Sequence, residues 1–133
     1  MGIWTKEGSF NLARIYFNSQ SQNPKTYLGL FTNDLDPSLL NSAILNDLLE
    51  PSAGAYARIE LASPNWVVTD ELSIYPTVDF QIALEPFGTI YGCFIATTVN
   101  NSGKLLAIHK YTTPISLQYY GDILEINIRI TIT

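Results

Sequence analysis

The most regular pattern in the chain is its last stretch, DILEINIRITIT. Leu124, Ile126, Ile128, Ile130 and Ile132 alternate with Glu125, Asn127, Arg129 and Thr131. A helix would scatter that alternation round its circumference, whereas a strand sorts it onto two faces, so the pattern predicts a half-buried β-strand. Thr77 to Leu84 repeats it, with Val78, Phe80, Ile82 and Leu84 inward and Thr77, Asp79 and Gln81 outward. Two other runs are apolar on both faces. Lys25 to Thr32 places Leu28 and Leu30 on one face and Tyr27 and Phe31 on the other, and Thr89 to Thr98 reads TIYGCFIATT. The first of these is expected to be a central strand.

Turn chemistry divides these runs. NNSG at Asn100 to Gly103 predicts a hairpin leading into Lys104 to Tyr111, and Pro114 and Gly121-Asp122 predict further breaks. Trp66 to Thr69 reads as a short strand, and SIYP as a bend or bulged segment. Gly29 and Gly92, inside strands, signal tight packing or close backbone passage. Near the start, Ser9 can cap a short helix through FNLARIYFN, where Phe10, Ala13 and Phe17 recur at helical spacing.

Between the strand ending at Thr32 and the one expected from Gly54 (AYARIEL) lies a long insertion, at about 33–52. Asn33, Asp34, Asp36 and Pro37 are turn formers; SLLNSAILNDLLE then permits one or two helical turns, with Ser38 or Asp36 as cap. Leu40, Ile44 and Leu48 form one stripe, predicting a lid over an end of the sheets. The whole pattern predicts a mainly β chain: one domain over 1–133, built as a two-layer β-sandwich or a closely related barrel. It carries a short N-terminal helix and a short helical insertion.

Composition narrows the function classes. The chain has 133 residues, 47% of them hydrophobic and only 14% charged, against about 25% charged in typical soluble domains. So little surface charge fits a protein whose outside rests against a partner. With a net charge of −5 and seven scattered basic residues, non-specific binding to nucleic acid is not expected. The apolar runs are strand-length and interrupted, so no helical membrane span is expected. MGIWTKEG is not expected to act as a secretory signal, which points to synthesis in the cytoplasm.

The chemistry available is sparse. Cys93 and His109 are the only residues of their kinds, which rules out Cys/His zinc frameworks and an internal disulfide. They fall on adjacent expected strands, where a buried thiol and a hydrogen-bonded histidine are the ordinary reading. Asp34, Asp36, Asp47 and Glu50 could supply oxygens to Ca²⁺, but their spacing lacks the twelve-residue EF-hand pattern; turn and cap roles are expected instead. No catalytic residue, cofactor or metal site is expected. The rings near turns and termini, Trp4, Trp66, Tyr75, Tyr119 and Tyr120, suit a protein contact or a sugar-stacking platform.

The ordered set YLGLFTN, an acidic leucine-bearing stretch, EPSAGAYARIEL, PNW, FGTIYGCFIATT, GKLLAIHKY and GDILEINIRITI resembles a family of small virion proteins of tailed bacteriophages. It covers nearly the whole chain; the EPSAGAYAR connection is longer than the family usually has. The resemblance implies a β-rich, non-enzymatic structural part, foremost an oligomeric capsid cement or decoration protein on the outer surface of the head. Its partners would be the major capsid protein and copies of itself. The alternatives are a tail or fibre accessory that binds tail or baseplate proteins, and a carbohydrate-binding β-sandwich module. The expected contact residues are Trp4, Asp34, Asp36, Pro37, Trp66, Tyr119 and Tyr120.

Overall fold

The structure, a computed structural model, describes residues 3–8, 25–62, 67–68, 72–82 and 85–131. Eight strands are seen: β1 (Ile3–Trp4), β2 (Thr26–Phe31), β3 (Ile59–Leu61), β4 (Val67–Val68), β5 (Leu72–Gln81), β6 (Gly88–Ala96), β7 (Leu105–Leu117) and β8 (Ile123–Thr131). They form two antiparallel sheets, a five-stranded one in the order β1-β7-β6-β2-β3 and a three-stranded one in the order β4-β5-β8. The arrangement is sandwich-like. Neither sheet closes on itself, so barrel closure is not seen among the described residues.

The alternation of the sequence builds the main core. Val78, Phe80 and Ile82 from the β5 side and Leu124, Ile126 and Ile128 from β8 pack against Leu28, Leu30, Ile90, Cys93 and Ile95 of the five-stranded sheet. Asp79, Gln81, Glu125, Asn127 and Arg129 face outward. Irregularities fall where the chain has a local reason for them. The β5–β8 ladder shifts between Tyr75 and Val78, placing Pro76 at the bulge as SIYP suggested. β7 runs straight through Pro114, which does not end it: the ladder with β6 instead bulges across residues 111–114, where no N–H is required of the proline. Gly121, expected as a break, turns the chain with φ +88 between β7 and β8.

The expected helix over FNLARIYFN lies outside the described residues; the N-terminal helical element that is seen covers residues 6–8. AYARIEL is extended as a strand only over Ile59–Leu61. Residues 54–58 are a loop in which Ala55 and Ala57 are exposed and Arg58 is buried. Arg58 turns inward because it has acceptors there, described below.

The insertion corrects the sequence reading most. It does not lid an end of the sandwich; it lies on the outer face of the five-stranded sheet. Ala43, Leu45 and Leu48 form a second core with Phe31, Phe94, Ala96, Leu105 and Ile108. The five-stranded sheet is therefore the middle of three layers, which is why β2 and β6 are apolar on both faces. Gly29 and Gly92 make room for this outer core: a Cβ at Gly29 would stand 2.3 Å from the Phe94 ring, and one at Gly92 2.5 Å from the Phe31 ring and 2.1 Å from the His109 carbonyl oxygen. The segment forms two 3-10 helices, Pro37–Ser42 and Leu45–Asp47, instead of α-helical turns. Ser42, Asn41 and Asn46 interrupt any longer helical run, and short 3-10 pieces suit such a sequence. With that geometry Leu40, Ile44 and Leu48 cannot share a stripe; Leu48 is buried, Leu40 half-buried and Ile44 exposed.

Candidate functional site

Cys93 and His109 sit directly opposite each other on β6 and β7, as their places either side of the NNSG turn suggested. Their environment does not make a nucleophile. Burial pushes the Cys93 thiol up to about 11, and a hydrogen bond with Tyr111 only partly opposes it, so the thiol is protonated at neutral pH. His109 packs edge-on against Tyr111, ring centroids 5.4 Å apart. Burial, with Cys93 beside it, also raises the Tyr111 phenol above its usual range.

The four acids weighed as calcium ligands are dispersed into separate tasks. Asp34 pairs with Lys110 of β7, whose ammonium also donates to the Leu35 carbonyl at 2.7 Å. Asp36 caps the first 3-10 helix: its Oδ1 accepts from the Ser38 N–H and hydroxyl, both at 2.9 Å. Those two bonds hold the carboxyl below its ordinary value. Asp47 accepts from the Ile44 N–H at 3.0 Å. Glu50 takes the guanidinium of Arg58 through both oxygens, at 2.9 and 2.8 Å.

Arg58 is the residue that sequence reasoning missed. Its side chain is 2% exposed, and all five N–H donors are used: two on Glu50, one each on the carbonyls of Thr98 (2.9 Å) and Asn100 (2.6 Å), and one on Asn101 Oδ1 (2.6 Å). It lies 5.0 Å from the centroid of the Phe94 ring. The Tyr56 hydroxyl donates to Glu50 at 2.7 Å and accepts from the Leu30 N–H at 2.9 Å, while its ring stacks on Phe80 and meets Phe87 edge-on. One buried cation thus ties the end of the insertion to the β6–β7 turn and, through Tyr56, to the main core. The only sequence signal was an arginine in an otherwise apolar, small-residue stretch.

The base of the insertion is clamped as well. Thr32 donates its N–H to the Leu49 carbonyl at 2.7 Å, the Leu49 N–H donates to Asn33 Oδ1 at 3.0 Å, and Asn33 Nδ2 donates to the Asp47 carbonyl at 2.9 Å. Its ends are therefore held together, in the manner of a packed Ω-loop. The outer side of this clamped segment carries Leu39 and Leu49, 60% and 63% exposed, with Ile44 also exposed. A second exposed apolar group stands at the β7–β8 turn, where Tyr119 and Tyr120 are 75% and 81% exposed beside Ile123. Both tyrosines project because they sit in a turn, closed by bonds from the Gln118 and Tyr119 N–H groups to Asp122.

Of the expected contact residues, Asp34, Asp36, Pro37, Tyr119 and Tyr120 are exposed. Trp4 is half-buried and packs against the main core. Trp66 lies outside the described residues. A cleft of about 590 Å³ opens between β8 and the β6–β7 pair, with Cys93, His109 and Tyr111 in its wall. Among the described residues no helix is long and apolar enough to cross a membrane, and no three His, Cys, Asp or Glu side chains gather to hold a metal. No protein-family model and no curated protein sequence matches the chain.

Proposed function

We propose that the chain is a non-enzymatic structural protein of a virion, a capsid-decorating protein that docks on the major capsid protein and stabilises the head across subunit boundaries. The observation that carries this reading is the clamped insertion. Its underside is sealed to the sheet, while Leu39, Ile44 and Leu49 face water on backbone that is hydrogen-bonded at its base. Apolar side chains held rigidly in solvent favour a protein contact, because little further ordering is needed on binding. The thin charge of the surface agrees with it, and many copies on a closed lattice turn modest contacts into firm attachment.

The test is electron microscopy of the assembled particle with this chain located in the map, joined to binding of a Leu39→Asp/Leu49→Asp variant to purified heads. The expected result is density on the outer head surface with the insertion at the contact, and a variant that folds normally but no longer binds. Bare heads in the map, or unchanged binding of the folded variant, would overturn the reading.

A second reading rests on Tyr119 and Tyr120: two adjacent exposed rings can stack on sugars, as a fibre accessory or a carbohydrate-binding module would need. Location on tails, together with glycan binding lost in Tyr119→Ala/Tyr120→Ala, would favour it over head decoration.

A further inference from the structure

The three-stranded sheet ends at β8, whose second edge has no strand partner among the described residues. Proteins usually blunt such an edge with charged side chains, lysine above all, with proline, a bulge or extreme shortness. β8 has no lysine or proline, and its two charges, Glu125 and Arg129, are of opposite sign. It is nine residues long, and the irregularity in its ladder puts the extra residue on β5. Its outward row is Ile123, Glu125, Asn127 and Arg129, all exposed. Glu125 lies across from Asp79 in the ladder, so two carboxylates neighbour each other, an unfavourable cross-strand pair. The ion pairs among the described residues join Lys25 to Glu60, Arg58 to Glu50, Lys104 to Glu7 and Lys110 to Asp34; neither Glu125 nor Arg129 takes part.

We propose that β8 is a dimerisation strand, which pairs antiparallel with β8 of a second copy about a two-fold axis through Asn127. Asn127 is the midpoint of Ile123–Thr131, so this register uses the strand from end to end. It sets Glu125 opposite Arg129 of the partner subunit, and the two-fold axis repeats that pair. No other register does so. Centring on Glu125 or on Arg129 brings like charges face to face. Centring on Ile126 or Ile128 sets Asn127 against one charged residue and leaves the other charge unmatched. Shifting by one residue turns the apolar row outward. The arrangement joins the two three-stranded sheets into one of six, and it carries the inward row of the added strand over the cleft beside β8, whose walls are Leu124, Ile126 and Ile128 on one side and Ile95, Ala107 and Tyr111 on the other. The virion reading expects contacts between copies; the strand and the register go beyond it and follow from β8 alone.

Sedimentation equilibrium on the full chain tests it, with Glu125→Arg, Arg129→Glu and the double exchange. Both positions face water, so all three variants are expected to fold, which circular dichroism and melting verify. The expected result is a dimer for the natural chain. Each single reversal replaces two attractions by two repulsions and weakens the dimer about ten-fold or more at low salt, and the double exchange restores it. A natural chain that stays monomeric at about 100 μM, far above the concentration at which a micromolar dimer forms, would overturn the proposal. So would a dimer indifferent to the single reversals, or reversals that the double exchange does not repair.

Discussion

On its inner face the five-stranded sheet meets another sheet; on its outer face it meets a folded loop. The inner contact is made by rows of side chains from regular strands, and no buried ion pair is needed to align them, because the pleat and the register already do so. The outer contact has no such repeat. Ala43, Leu45 and Leu48 are placed by two short 3-10 turns, and the segment is fixed by individual polar bonds: Glu50 to Arg58, Asp34 to Lys110, Asn33 to Asp47 and Leu49, and Asn101 to Asn46. Periodic structure positions itself, whereas irregular structure must be held point by point.

Substitutions separate the two mechanisms. Phe80→Ala empties the inner core under Tyr56 and is expected to cost about 4 kcal/mol, read as a lower midpoint of a single cooperative unfolding transition. Arg58→Ala strips Glu50 of its cationic partner, leaving it the Tyr56 hydroxyl alone, and takes the guanidinium donor from the Thr98 and Asn100 carbonyls. The expected cost is about 3 kcal/mol, and in contrast to Phe80→Ala it falls first on the insertion, whose amides lose protection before those of β5 and β8. A uniform loss over both sheets would mean that the insertion and the sandwich are held in the same way. Gly29→Ala pushes on the Phe94 ring in the outer core and is expected to cost about 1–3 kcal/mol, measured by denaturant unfolding; Gly54→Ala, where an added Cβ meets nothing within 4 Å, serves as its control.

Two smaller effects depend on pH. The Cys93 thiol is raised from 9.0 to about 11 by burial, so its contribution to stability is complete below pH 9 and is lost as pH rises towards 11. Cys93→Ala is expected to flatten that alkaline decline in a series of melts, with Tyr56 and Tyr111, also raised by burial, accounting for what is left. Smallest is Asp36, whose carboxyl is held below 3.8 by Ser38. Its cap contributes above 3.8 and is lost as pH falls below that value, so Asp36→Ala is expected to lower the midpoint slightly at neutral pH and not at all in strong acid.

The same contrast explains what could be read in the sequence. β5 and β8 were legible because a period of two is local information, and the inward positions Val78, Phe80, Leu124, Ile126 and Ile128 follow from it directly. Gly29 and Gly92 announced close packing, although not that phenylalanine rings would fill the space. The two-sided apolar character of β2 and β6 required an outer cover without saying what supplied it. That cover was misplaced because SLLNSAILNDLLE fits a helical stripe on paper, and nothing local shows that its polar residues break it into 3-10 turns. AYARIEL alternates, with Tyr56, Arg58 and Glu60 on one face, yet the acceptors of Arg58 come from Glu50 and from Thr98 to Asn101, about forty residues further along, and long-range pairing of that kind leaves no periodic trace. The exposed Leu39 and Leu49 were missed for the same reason: without the placement of the insertion, an apolar residue there reads as core.

Amide hydrogen exchange at neutral pH tests directly whether the insertion is a third layer of the molecule. The amides of Thr32, Ala43, Leu48 and Leu49, whose acceptors are Leu49, Leu40, Leu45 and Asn33, are expected to be protected, and to lose this protection in Arg58→Ala while β8 keeps its own. Free exchange of these four amides in the natural chain, beside protected strands, would contradict it.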